Sequence, residues 1–523
     1  MPSRRSVMEH TFSEVPRADI PRSSFNRSHK HLTTFDADWL IPVLVDDMIP
    51  GDTFNVNMHF FARLATPLHP IMDNLYLESF FFFVPYRILW DNWEKFCGAQ
   101  DDPGDSIDFT IPAVSNSTGV NIQTSNALHD YIGLPWNTSV NVSKVTALPY
   151  RAYDKIYDDW FRDQNLQDSL APPTGNGPDT FSNYVLRKRG KRHDYFTSCL
   201  PSPQKGSAVS LPLGSTAPIH SPGPVADQPT VFVDTESDYH LLDTGATFLD
   251  ISATTGLSSD NLYADLSNAV AATVNDVRLA FQTQRLFERD ARSGTRYNET
   301  LLAHWGVTVP DFRLQRPEFL GGGSSAINVT PVANTSEDAT SKQGDLTGFG
   351  TVSGTHGFTY SSVEHGVLMG LINVRSDITY SQGMERYFTK DTRFDFYYPV
   401  LAQIGEQATL NQEIWWTAGD LGAVNEAVFG YQERYAEYRY KPSRLSGLFN
   451  VDHASTLAAW HLSEDFGSLP TLGDTFIQSN TGTPLDRAIA VPSEPHFIGD
   501  FFFDMKCARP MPLYGVPGNL DHF

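Results

Sequence analysis

The sequence predicts a mainly β protein, an antiparallel sandwich whose strands are scattered along the chain. Three observations lead there. Aromatic residues make up 12% of the 523 residues and charged residues only 19%, with 37 Gly and 34 Pro, a mix that favours strands joined by turn-rich connections. Strand-sized segments occur early and late, with long excursions between them, and purely local pairing would leave their edges bare. No apolar run approaches the roughly 18 residues of a membrane span; the longest, Phe80–Val84, is strand-sized. At this length two domains or one heavily decorated domain is expected.

The elements follow in order. Residues 1–38 are polar and rich in Arg, Ser and Pro without sustained periodicity, which predicts a flexible or partner-draped basic arm ahead of one discontinuous domain over 39–523. Met1-Pro-Ser-Arg-Arg-Ser is followed by no apolar stretch, so no secretory signal is expected. Trp39–Val45 reads as a strand and Pro50-Gly51-Asp52 as a turn. Phe54–Phe60 alternates apolar and polar as a half-buried strand should, and Leu75–Val84 is a long aromatic strand stopped by Pro85. Helices are predicted over Arg87–Cys97 and Tyr150–Asp163, whose aromatics recur at helical spacing as packing stripes. After a turn-rich stretch over 207–265, with strand-like Thr230–Val233 and Ala246–Leu249, Leu266, Val270, Val274, Val277 and Phe281 mark an amphipathic helix that stops at Gly294. Residues 320–358 read as a Gly/Ser/Thr loop. Strands are predicted again at Gly366–Val374, Ile378–Tyr380, Phe394–Tyr398, Glu413–Trp416 and Phe497–Lys506.

The net charge of −23 is unevenly spread. Arg4, Arg5, Arg17, Arg22, Arg27 and Lys30 outnumber three acids in the first 31 residues, and Arg187, Lys188, Arg189, Lys191 and Arg192 crowd into six positions. Residues 207–265 hold no Lys or Arg but eight acids, among them Asp227, Asp234, Glu236, Asp238, Asp243 and Asp250. The asymmetry predicts a two-sided object, basic toward a polyanion and acidic toward solvent. Five cations in a packed interior would repel one another, so the 187–192 cluster is expected to meet phosphates, a neighbouring subunit or water. Tyr184, Tyr195 and Phe196 beside it offer stacking surfaces for unpaired bases.

Several chemistries find no footing. Gly321-Gly322-Gly323-Ser324-Ser325 lacks a GxxxxGK[ST] pattern and reads as a flexible turn; Gly350-Thr-Val-Ser-Gly is no nucleophile elbow. The histidines show no ligand spacing, and Asp46-Asp47, Asp101-Asp102 and Asp158-Asp159 read as solvated turns and helix faces, so neither metal nor cofactor is expected. Cys97, Cys199 and Cys507 are far apart and read as buried free thiols. No general acid–base pair can be argued from the residues.

Tyr195-Phe-Thr-Ser-Cys-Leu-Pro-Ser-Pro-Gln-Lys-Gly, directly after the basic cluster, resembles a segment of the major capsid proteins of Microviridae, the small single-stranded-DNA phages, in their gokushovirus branch. Met8-Glu-His-Thr-Phe-Ser-Glu-Val-Pro, Arg22-Ser-Ser-Phe-Asn-Arg-Ser-His-Lys, Asp46-Asp-Met-Ile-Pro-Gly-Asp-Thr-Phe, Phe82-Phe-Val-Pro-Tyr-Arg-Ile-Leu-Trp-Asp-Asn-Trp and Arg316-Pro-Glu-Phe-Leu-Gly-Gly-Gly extend the resemblance over nearly the whole chain outside 207–265.

The resemblance implies a viral eight-stranded antiparallel jelly roll with long inserted loops. It implies pentamers and a T=1 icosahedral shell around circular single-stranded DNA, with 207–265 as a threefold surface protrusion for host attachment. The implied partners are further copies of the chain, the packaged DNA, a small basic internal DNA-binding protein, a pilot (minor capsid) protein and a receptor on the bacterial host, without membrane insertion. The chain would be made in the host bacterial cytoplasm and reside in the virion. The residues alone also leave open a soluble β-sandwich carbohydrate-binding or adhesion protein, and a glycoside hydrolase would need a carboxylate pair in a cleft.

Overall fold

The computed structural model describes residues 20–123, 128–207, 209, 274–337, 342–420, 422–478 and 484–514, and the backbone of five short strands between 219 and 264. The chain divides into two compact units, one running to Pro203 and resuming at Thr295, the other Gln204–Gly294.

The first unit opens with β1 (Ser23–Asn26), β2 (His29–Phe35), β3 (Ile41–Met48), β4 (Thr53–Leu64) and β5 (Leu75–Pro85). The second contains β6 (Ile219–His220), β7 (Thr230–Val233), β8 (Asp238–Thr244), β9 (Leu249–Ala253), β10 (Tyr263–Ala264) and a helix over Val274–Ser293. There β7, β8 and β9 form an antiparallel sheet and β6 pairs with β10. The first unit resumes with β11 (Glu318–Ala333), β12 (Leu346–Ser361), β13 (Gly366–Ser376), β14 (Glu406–Leu410), β15 (Val428–Glu433) and β16 (Phe497–Arg509).

Eight of these strands are nested antiparallel pairs. Numbered along the chain they are β2, β3, β4, β5, β11, β12, β13 and β16. The first pairs with the eighth, the second with the seventh, the third with the sixth and the fourth with the fifth. Further pairing of β16 with β4 and of β13 with β5 makes two layers, β2-β16-β4-β12 and β11-β5-β13-β3. The tips of β11 and β12 pair with each other over Asn328–Ala333, so the whole curls as one sheet. This is a jelly-roll β-sandwich. β1 continues the line of β2 along β16.

The two layers differ in what covers them. In β4 and β16 every second residue is buried, and Phe54, Val56, Met58, Phe60, Phe497, Phe501, Phe503 and Met505 fill the space between the layers. β5 and β13 are buried on both faces, which is why they read as continuous apolar runs. Their inner side chains, such as Leu77, Phe81, Phe83 and Leu368, join the sandwich core. Phe82, Val84, Val367, Met369 and Leu371 on the outer face pack under a second cluster built by the β5–β11 excursion, with Trp90, Tyr150, Tyr153 and Ile156. Each fully buried aromatic there contributes about 1.5–3 kcal/mol.

Several sequence expectations change. The Gly-rich 320–358 segment is the β11–β12 hairpin, not a loop, because its glycines permit close backbone approach. A Cβ on Gly322 would lie 2.1 Å from the Ser79 carbonyl oxygen. Glu413–Trp416 falls on a short helix (Asn411–Ile414), and Phe394 and Asp395 lie in a 3₁₀ turn, so apolar runs of this length misled on type. Tyr380 makes only an isolated bridge to Arg444. The predicted helix over Arg87–Cys97 is two single turns, Tyr86–Leu89 and Trp93–Phe96. Leu148–Ile156 is helical as expected and widens into a π turn over Tyr157–Phe161.

The amphipathic helix is described from Val274, with Leu266 and Val270 outside the described residues. Val274 and Phe281 on its predicted apolar stripe are exposed. Cys199 and Cys507 are buried free thiols, whereas Cys97 is exposed. Of the 1–38 segment, residues 1–19 lie outside the described residues and most of the remainder is strand rather than arm.

Candidate functional site

The basic cluster 187–192 runs extended across the first unit, held by its backbone. Leu40 donates to the Arg187 carbonyl, Arg189 to the Asp38 carbonyl, and Lys191 to the Ile477 carbonyl at 2.7–2.9 Å. Its cations meet carboxylates distant in sequence. Arg187 reaches Asp154 at 3.4 Å, Lys191 reaches Glu464 at 3.0 Å and Arg192 reaches Asp377 at 2.6 Å. Arg189 pairs with Glu78 of β5, which also receives Arg375 at 2.9 Å and Arg192 at 3.4 Å. Lys188 lies over the Trp39 ring, 5.2 Å from its centroid.

Mutual repulsion among these bases is thus relieved inside the chain. Burial pushes the Glu78 carboxyl up, but Arg189 and Arg375 more than reverse this and hold it below its usual value. The Asp154 carboxyl is pushed up to about 7 by burial, against the pull of Arg187. Tyr184, Tyr195 and Phe196 are buried, so none offers a face to a base. Tyr195 instead donates to Glu413 at 3.0 Å, and the Tyr195–Pro203 stretch pairs with β15 through the Leu200–Tyr431 bridge. Its place is the core of the β13–β16 excursion, with Ile414, Phe429 and Phe476.

The N-terminal bases divide. Arg4, Arg5 and Arg17 lie outside the described residues. Arg27 forks onto Asp46 at 2.5 and 3.0 Å. Arg22 donates to Thr53 Oγ1 at 3.0 Å and Lys30 pairs with Asp500 at 2.8 Å. Those last two stand on the outer face of the β2-β16-β4-β12 layer. Of the acidic insertion, Asp227, Asp234 and Glu236 lie outside the described residues, and Asp238, Asp243 and Asp250 sit on the backbones of β8 and β9.

The acidic pairs are engaged. Asp47 accepts from Tyr86 at 2.7 Å, Asp158 pairs with Arg162 at 2.7 Å and Asp159 with Lys155 at 3.1 Å. Among the described residues no cluster of His, Cys, Asp and Glu has metal-site geometry, and no helix is long and apolar enough to cross a membrane.

A surface the sequence reading missed lies in the β13–β16 excursion. Tyr387, Phe388, Phe394, Phe396, Tyr397 and Tyr398 are each about half exposed within twelve residues, and Val400 beside them is 87% exposed. Their density in 387–398 is the available signal; the strand expected from the sequence spans only Phe394–Tyr398.

A jelly roll carrying two long excursions and a run of aromatics exposed among the described residues is an architecture suited to a subunit that meets neighbours. The chain belongs to the capsid protein (F protein) family, whose model matches residues 13–519. It is 45% identical to capsid protein VP1 of Bdellovibrio phage phiMH2K, over 98% of both chains. It is 40% identical to capsid protein VP1 of Chlamydia phage 1, again over 98% of both. Capsid protein VP1 of Spiroplasma virus 4 is 34% identical, over 99% of this chain and 98% of that one. The resemblance to gokushovirus major capsid proteins therefore holds along the whole chain. The protein is a structural component of the virion, it assembles with copies of itself, and it is not an enzyme.

Proposed function

We propose that the chain builds a T=1 icosahedral shell, through pentamers, around circular single-stranded DNA, and that the Gln204–Gly294 unit carries host attachment. The observation that carries the assembly reading is the aromatic run Tyr387–Tyr398. A solitary soluble chain rarely leaves six large aromatics half exposed within twelve residues, whereas a subunit buries them against a neighbour. The acidic composition of 207–265 supports an outward knob, since it carries no cation that would be drawn to packaged phosphate. The bases of 187–192 act as an inner tie, with a small basic internal protein sharing the neutralisation of DNA. A pilot protein and a host surface receptor complete the partners.

Sedimentation and negative-stain electron microscopy of the purified chain, with circular single-stranded DNA, test this. Uniform closed shells are expected from the parent. A Phe388→Ser/Tyr397→Ser variant with unchanged circular dichroism should remain as small species. Shells from that variant would remove the aromatic run from the interface, and an unassembled parent would overturn the shell reading.

A further inference from the structure

The two layers of the roll are not equivalent. The outer face of β11-β5-β13-β3 is roofed by the β5–β11 excursion. The outer face of β2-β16-β4-β12 is exposed at every second position of β4, from Asn55 to Arg63.

The strand register makes that face a grid. Thr34, Ile498, Arg63 and Thr351 form one row; Leu32, Asp500, Phe61 and Ser353 the next; Lys30, Phe502, His59 and Thr355 a third. Further along, Lys506 lies beside Asn26 on one flank and Asn55 on the other. Phe61 is 53% exposed and Phe502 44%, on diagonal neighbours of adjacent strands, and the His59 ring stacks toward Phe502 at 6.4 Å.

The charges are distributed unlike those of the 187–192 cluster. Lys30 is paired with Asp500, and Asp504 accepts from Ser28 at 3.2 Å. Arg63 and Lys506 have no ion-pair partner among the described residues. Arg22, held on the same face by Thr53 Oγ1, adds a third cation without an ion-pair partner among the described residues. So, among the described residues, a chain of net charge −23 leaves cations without ion-pair partners beside exposed aromatics on the layer of its roll whose outer face stays open.

Flat rings accept the faces of unpaired bases, and cations at strand spacing accept phosphates. Aromatics standing beside cations hold single strands without reading sequence, because every base has a face to stack. We propose that this face is a stacking platform for single-stranded DNA, with bases on Phe61 and Phe502 and phosphates on Arg63, Lys506 and Arg22. The proposal deepens the reading of a DNA-enclosing shell and rests on it.

The test compares the parent with Phe61→Ser/Phe502→Ser and with Arg63→Gln/Lys506→Gln. All four side chains point away from the core, so both variants should keep the parent's circular dichroism and melting temperature. The probes are an oligo-dT and an abasic oligomer of the same length. The phenylalanine variant should lose about 10-fold or more in affinity for oligo-dT, at about 1–3 kcal/mol per stacked base, and nothing for the abasic oligomer. The Gln variant should lower the slope of log K against log salt by about 1.4, at about 0.7 per phosphate contact on single strands.

Equal oligo-dT affinity in parent and phenylalanine variant overturns the platform. So does a phenylalanine variant that binds oligo-dT normally but fails to form shells, which would assign the face to contacts between copies. Parent shells that hold no DNA would overturn the enclosing reading itself.

Discussion

At the residue scale the chain shows how charge is stored in buried sites. Glu78 is enclosed by Arg189, Arg192 and Arg375, and Arg151, fully buried, forks onto Asp179 at 2.7–2.8 Å while donating to the carbonyls of Leu89 and Gly175. Each guanidinium nitrogen of Arg151 finds an acceptor, which offsets the cost of burying the pair, whereas Arg375 Nε beside Glu78 is buried without one. Asp154 is the least settled member. Its folded carboxyl titrates near 7 against an ordinary 3.8, because burial disfavours the charge more than Arg187 favours it. The folded chain therefore keeps a proton that the unfolded chain releases. The stability this gives is complete below about pH 4 and is lost as pH rises through 7. Asp154→Asn stays neutral throughout, so its stability relative to the parent should rise by about 2–3 kcal/mol between pH 5 and pH 8. Urea unfolding of both subunits at the two pH values reads this, and a gap independent of pH would remove Asp154 as the cause. None of this was legible locally, since the partners of 187–192 lie up to hundreds of residues away.

At the scale of elements, legibility followed burial. β4 announced itself by alternation and β5 by its aromatic run, because one strand is covered on one face and the other on both. β11 and β12 did not, since glycines that elsewhere mark loops here let two strands and a histidine ring come close. His356 accepts or donates between Ser79 at 2.7 Å and Ser325 at 3.1 Å, and a Cβ on Gly323 would lie 2.4 Å from its ring. Gly322→Ala should therefore part β11 from β5, costing at least the roughly 3 kcal/mol upper end of ordinary overpacking. A fall of several degrees or more in the melting temperature of the soluble subunit is the expected result, and an unchanged value would show that the strands can shift. The mixed segments of the β13–β16 excursion were unreadable for another reason. Their aromatics face outward, so their spacing reports no local core.

For the whole molecule, the eight-strand roll was reachable only through the family resemblance, because its nested pairs join the beginning of the chain to its end. The excursions, by contrast, are inserted between strands of the roll, one between β5 and β11 and the other between β13 and β16. Gln204–Gly294 forms a compact unit of its own. Replacing it by a short Gly/Ser linker should leave shells that sediment like the parent, with adsorption to host cells lost; failure to fold would show that the unit is part of the framework. The nesting has one more consequence. β16, the eighth roll strand, lies between β2 and β4 and supplies the hydrogen-bond partners of both. While the ribosome is still making residues before 497, those two strands have bare edges and the layer cannot close. A copy cut short anywhere upstream never acquires the uncovered face or a finished core. The order of synthesis thus works as a test of completeness, admitting only full-length copies to the pool of building blocks.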